Sequence, residues 1–176
     1  MTKRQVFYSF HYKNDVMRVQ QIRNIGVLEG YCPVSPNDWE QVRCKRDREI
    51  KEWIDNTMQY RSCVIVLIGE KTAHQKWVNY EIKKAWMEGR PLLGIYINNL
   101  KCPRQGMCQK GENPFERFIL KNGATLADMI PCYEPDPENA YQDIKKNLNT
   151  WIENAIENAK YNLRVIKSMR ADKEVK

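Results

Sequence analysis

Trp77 and Glu81 carry the most legible chemistry in this chain. They lie four residues apart in Lys76-Trp77-Val78-Asn79-Tyr80-Glu81-Ile82, and in a helix that spacing sets an indole and a carboxylate on one face. Val78, Ile82, Ala85 and Trp86 follow the spacing of a core-facing stripe. Glu81 therefore falls at the edge of the buried face, beyond the end of a strand, where a carboxylate can be held against a ligand while half shielded from water. The competing reading is a surface Glu that pairs with a nearby Lys and does no chemistry, as most helix carboxylates do.

The elements that must position this pair follow from periodicity. Cys63-Val64-Ile65-Val66-Leu67-Ile68-Gly69 is an apolar run bounded like a fully buried strand. Val6-Phe7-Tyr8-Ser9-Phe10 is a β-prone opening strand. Asn14 or Asp15 can cap the first helix, whose inner face carries Val16, Val19 and Ile22 and which ends near Asn24. Ile25-Gly26-Val27-Leu28 reads as a short second strand, and residues 30–38 are rich in turn formers. Ile50, Trp53, Ile54 and Met58 keep helical spacing, which predicts a second helix from about Arg46 to Met58.

Gly89 fits the C′ position of the Trp77/Glu81 helix, and residues 92–97 form the next strand. Residues 98–115 are long, polar and irregular, a kind of loop that is usually functional or mobile. Residues 129–133 predict a last edge strand, where Pro131 is tolerated. Tyr141, Ile144, Leu148, Trp151, Ile152 and Ala155 mark a long final helix.

Alternating strands and helices predict an α/β fold with a parallel sheet covered on both faces. About five strands fit a flavodoxin-like, doubly wound order, in which ligands collect at the carboxyl ends of the strands. Residues 9–15, the 30–45 loop and residues 69–81 are expected to converge there. A single domain over residues 1–160 is expected, followed by a basic helix end or tail at 161–176.

Bulk properties narrow the function. The 176 residues suit one α/β domain with a sizeable core. No stretch approaches the ~20 apolar residues that cross a bilayer, and the first residues lack the pattern of a leader, so a cytoplasmic protein without a membrane partner is expected. The six cysteines (Cys32, Cys44, Cys63, Cys102, Cys108, Cys132) are scattered and His11 and His74 are far apart, which argues for reduced thiols and against zinc. A net charge of +7 loosely suggests an anionic partner. Much of the excess lies in the C-terminal segment, and no finger, RNP or helix-turn-helix pattern accompanies it, so no nucleic-acid partner is expected.

Familiar ligands can be set aside one by one. The turn after the first strand, Ser9-Phe10-His11-Tyr12-Lys13, contains no glycine, which excludes a Rossmann fingerprint or a Walker-type loop there. The central strand ends in Gly69-Glu70 rather than in a phosphoacceptor Asp. Ser9 and Ser62 do not sit in a Gly-flanked elbow. Carboxylate chemistry remains.

At this point the residues resemble a known family. Residues 6–12, 63–69, 77–82 and 93–97 and Lys110-Gly111-Glu112-Asn113-Pro114-Phe115 look, in that order, like the bacterial TIR-like domains of Thoeris anti-phage defence, the ThsB-like group. The likeness covers roughly the first two-thirds of the chain. TIR enzymes carry a Trp-Cys-x-x-Glu helix motif. Trp77 and Glu81 fall on its Trp and Glu, and Val78 replaces its Cys, a change that packing absorbs.

The resemblance implies cleavage of NAD, as substrate and not as cofactor, between nicotinamide and ribose. It further implies an ADP-ribose-derived, often cyclic, signal that activates a downstream effector, with self-association as a further possibility. Nicotinamide leaves as a neutral molecule, so the second, acidic carboxyl of a typical glycosidase is not required. One carboxylate can hydrogen-bond the ribose hydroxyls and stabilise the oxocarbenium-like charge. Glu81 is expected in that role, with Trp77 walling the ribose or nicotinamide.

Supporting residues are expected around that pair. Phe10 and His11 should reach the same crevice, Trp39 lies near the family's BB loop and can stack on a base, and Tyr80 either hydrogen-bonds in the site or packs on a neighbouring helix. Lys13 or Arg18 can meet the diphosphate near a helix N-terminus, although solvated surface is the favoured reading of both. The alternatives are a non-catalytic TIR-like signalling scaffold and a domain that senses NAD without cleaving it.

Overall fold

The computed structural model of the chain describes residues 4–25, 42 and 44–171, with side chains to residue 163. Four strands, β1 (Val6–Ser9), β2 (Cys63–Ile68), β3 (Leu92–Tyr96) and β4 (Cys132–Tyr133), form a sheet in that order. Every pairing is parallel, with Ser9 beside Val66 and Ile68 beside Tyr96. The helices are α1 (Tyr12–Arg23), α2 (Asp47–Gln59), α3 (Lys76–Met87) and α4 (Ala140–Ala171). The described sheet thus has four strands rather than about five. The further strand expected at 25–28 lies outside the described residues except for Ile25, which sits in the turn after α1.

Strand parity sorts the core. Val6 and Tyr8, with Cys63, Ile65, Leu67, Leu93 and Ile95, face Val19 and Ile22 of α1 and Ile144, Leu148 and Ile152 of α4. Phe7, with Val64, Val66 and Ile68, faces the other way onto Ile50, Ile54 and Met58 of α2 and Val78, Ile82 and Ala85 of α3. All six residues of β2 are fully buried, as a central parallel strand with both faces covered requires. Each such Val, Leu or Ile contributes about 1.5–3 kcal/mol relative to exposure.

Two element boundaries carry lessons. Helix α3 ends at Gly89, whose φ of 68° and bonds from Gly89 N–H to Trp86 O and Arg90 N–H to Ala85 O make a Schellman close. Helix α1 starts earlier than expected, with His11 rather than Asn14 or Asp15 at the N-cap position. Asp15 is instead wholly buried, paired with Arg18 at 2.9 Å. Arg18 is equally buried, which corrects the expectation of a solvated side chain; it also donates to Leu100 O at 3.0 Å and Gly106 O at 2.9 Å. An arginine with four acceptors around it is held as a strut. The long loop after β3 is thereby tied onto α1.

Helix α4 passes residue 160 without a break and continues to Ala171, so the basic segment begins as helix. Residues 172–176 of that segment lie outside the described residues. Among the described residues no helix is long and apolar enough to cross a membrane.

Candidate functional site

The residues after β1, the start of α1, and Gln75 with the first two turns of α3 frame a cleft of about 210 Å³, lined by Phe10, His11, Tyr12, Lys13, Gln75, Trp77, Val78 and Glu81. Two of the three segments expected to converge, 9–15 and 69–81, do so. Of the third, residues 30–41 and 43 are outside the described residues, and with them Trp39.

Glu81 sits deeper than the half-shielded edge expected of it, at 4% exposure. Its neighbours Val78, Ile82 and Ala85 press α3 onto the sheet, which carries the carboxylate inward with them. Burial pushes the Glu81 carboxyl up to about 8, and only partly is this opposed by a hydrogen bond from Ser9. The Ser9 hydroxyl donates to Glu81 Oε2 at 2.5 Å. Ser9 stands on the α2/α3 face because it shares strand parity with Phe7. Strand parity in the sequence carries that signal, although Ser9 does not lie in a nucleophile elbow.

Trp77 lines the cleft one turn before Glu81, half-buried, with the Lys76 ammonium over its ring at 4.8 Å. Tyr80 is not brought to the cleft. Its hydroxyl donates to Asp55 of α2 at 2.9 Å, and its ring meets Trp77 edge-on at 6.1 Å. Of the two roles weighed for Tyr80, helix packing is the one its position fits.

Phe10 and His11 line the cleft, as does Lys13, while Arg18 is occupied under the loop. The carbonyl of His11 accepts from Asn14 N–H and Asp15 N–H and opens α1. Its ring Nδ1 is buried with no partner among the described residues. Burial, with Lys71 and Lys13 nearby, holds the imidazole below its usual range, so it is neutral near pH 7. Gln75 and Tyr12 are wall residues that sequence periodicity did not single out, and Val78, expected on the core-facing stripe, also lines the cleft. Among the described residues no three His, Cys, Asp or Glu side chains gather to hold a metal.

The family model described as "Thoeris protein ThsB, TIR-like domain" matches residues 7–102, just over half of the chain and all of the described cleft. This chain belongs to the ThsB TIR-like family. A relative from Bacillus cereus (strain MSX-D12), named "Putative cyclic ADP-D-ribose synthase ThsB1", is 36% identical over 123 residues. That alignment covers 66% of this chain and 62% of the relative, so the chain spans less than two-thirds of that relative's length. The matched TIR-like segment contains Ser9, His11, Trp77 and Glu81 together, and stops short of β4 and α4.

Proposed function

We propose that this TIR-like domain cleaves NAD between nicotinamide and ribose and turns the remainder into an ADP-ribose-derived, cyclic signal read by a downstream effector in anti-phage defence. The observation that carries the reading is a buried carboxylate, Glu81, at the floor of a cleft walled by Trp77. The name of the Bacillus cereus relative supports the same product class.

The chemistry asks little of the protein. The bond from the ribose anomeric carbon to the pyridinium nitrogen breaks, and its electron pair leaves with neutral nicotinamide. The sugar is left with oxocarbenium character, and ionised Glu81 stabilises that charge and binds the ribose hydroxyls. A nucleophile of the same molecule then closes the ring, or water intercepts the cation. The free carboxyl, held up near 8, is largely protonated at pH 7. A bound pyridinium places a positive charge beside it and favours the anion, so substrate ionises its own catalyst.

A volume near 210 Å³ is below the ~300–1,000 Å³ that encloses a drug-sized ligand. The cleft accordingly takes the nicotinamide riboside half, with the adenosine half over the rim. Phe10 and Trp77 are the apolar walls and neutral His11 is a hydrogen-bonding group for the sugar.

Purified protein incubated with NAD and assayed for free nicotinamide tests the reading. Glu81→Gln keeps shape and removes charge, and is expected to lower the rate at least about a hundredfold. Product formation by that variant at the wild-type rate overturns the assignment. Tight NAD binding without turnover, including in infected-cell extract, would make the domain a sensor.

A further inference from the structure

The proposed reaction leaves one buried hydroxyl without a task. Ser9 is 1% exposed, lies at the last position of β1, and its Oγ is 2.5 Å from Glu81 Oε2, seventy-two residues away. The backbone of Ser9 is held by parallel pairing beside Val66, so the hydroxyl is delivered from the sheet. A glutamate has three side-chain torsions to fix, and among the described residues the hydrogen bond to the Glu81 carboxylate comes from Ser9 on another element. Along α3, Val78 and Ile82 fix the helix; across the gap, Ser9 fixes the carboxylate.

We infer that Ser9 is a positioning residue for Glu81, anchoring Oε2 so that Oε1 meets the ribose in the cleft. This rests on the reading of Glu81 given above and deepens it. Serine suits the task because a hydroxyl donates to a carboxylate and accepts from a carboxylic acid, so it holds Glu81 in both protonation states. A hydrogen bond to the charged form also favours ionisation, and Ser9 opposes the effect of burial in that way. The other titratable groups on the cleft among the described residues are His11, Tyr12 and Lys13. Imidazole is neutral above its lowered range, which leaves Glu81 to set the acidic limb of activity near and above pH 7.

The test compares the wild type with Ser9→Ala, Ser9→Thr, Ser9→Cys and Glu81→Gln in nicotinamide release from NAD between pH 6 and 9. Ser9→Ala is expected to lose about tenfold or more in kcat at pH 7, the worth of a hydrogen bond to a charged group. KM should stay within about twofold, and the acidic limb should move up by about one pH unit, since removing the donor raises the carboxyl. Ser9→Thr keeps the hydroxyl on a residue that strands favour and should restore most of the activity. Ser9→Cys, with a weaker donor, should fall between, and it carries the comparison if Ser9→Ala does not fold.

Infrared titration of the carboxylic-acid band that disappears in Glu81→Gln needs no turnover. It should shift upward in Ser9→Ala by the same amount as the limb. Wild-type kcat and an unmoved titration in Ser9→Ala overturn the inference. If Glu81→Gln is inactive while Ser9→Ala is unaffected, only the role of Ser9 falls; if Glu81→Gln is active, the assignment of Glu81 falls with it.

Discussion

Glu81 trades stability for function, because its burial disfavours the anion that the proposed chemistry needs. Its carboxyl moves from 4.5 up to about 8 in the folded protein, so between those values the folded chain binds more protons than the unfolded one. Stability contributed by this group is therefore greatest below about pH 4.5 and declines as pH rises toward 8. Glu81→Gln should be more stable than the wild type by on the order of 3 kcal/mol at pH 8, and about equal to it at pH 4. Urea denaturation at both values measures this. An unchanged difference between the two pH values would show that the carboxyl is not held up. In the same free enzyme kcat/KM for nicotinamide release should climb about tenfold per pH unit from 6 and level off near 8. At this scale the sequence set Trp77 and Glu81 on one helix face by spacing, which by itself favoured a solvated carboxylate, and pointed to a catalytic Glu81 only through its resemblance to TIR enzymes. It did not reveal the depth of Glu81 or its bond to Ser9, since strand and helix are joined there only by the tertiary fold.

The same contrast appears in the elements. Asp15 and Arg18 are three apart on α1, a spacing that marks an ion pair, yet sequence offers Asp15 as a helix cap and Arg18 as a solvated side chain. Their burial comes from elements distant in the chain. The loop beyond β3 lays the carbonyls of Leu100 and Gly106 on Arg18, and the end of β2 puts Gly69 where a Cβ would lie 2.3 Å from Asp15 Oδ2. Burial is the largest influence on Asp15 and raises its carboxyl, with Arg18 pulling it back. Arg18→Ala should cost about 3–5 kcal/mol, because it strands a buried acid, whereas replacing both partners with apolar residues should cost much less. Urea midpoints of the single and double variants decide this. Gly111 makes a matching contact, since a Cβ there would meet the Gly69 carbonyl oxygen at 2.1 Å. Gly111→Ala is expected to destabilise by about 1–3 kcal/mol, measured as a lower denaturation midpoint. A neutral Gly111→Ala would mean that the loop lifts away at little cost.

Across the whole molecule, one sheet serves two cores. The α1/α4 side and the α2/α3 side share the buried residues of β2 and β3 by alternate parity, so neither side can melt while the sheet persists. Trp151 stacks on Tyr133 at 4.5 Å on the first side, and Trp53, Trp77 and Trp86 report the second. Tryptophan fluorescence and far-ultraviolet circular dichroism should therefore trace one coincident urea transition; separated midpoints would mean that the sides fold independently. The apolar run 63–68, the helical stripes and the α/β alternation determine the parallel architecture by themselves, because periodicity is a local record of which face is buried. The Trp77/Glu81 face was legible for the same reason. Only the tertiary structure decided that Ser9 meets Glu81, that Tyr80 turns to Asp55, and that Arg18 lies inside under a loop some eighty residues away. Contacts between segments remote in sequence leave no periodic trace; packing chooses them once the sheet has set the distances.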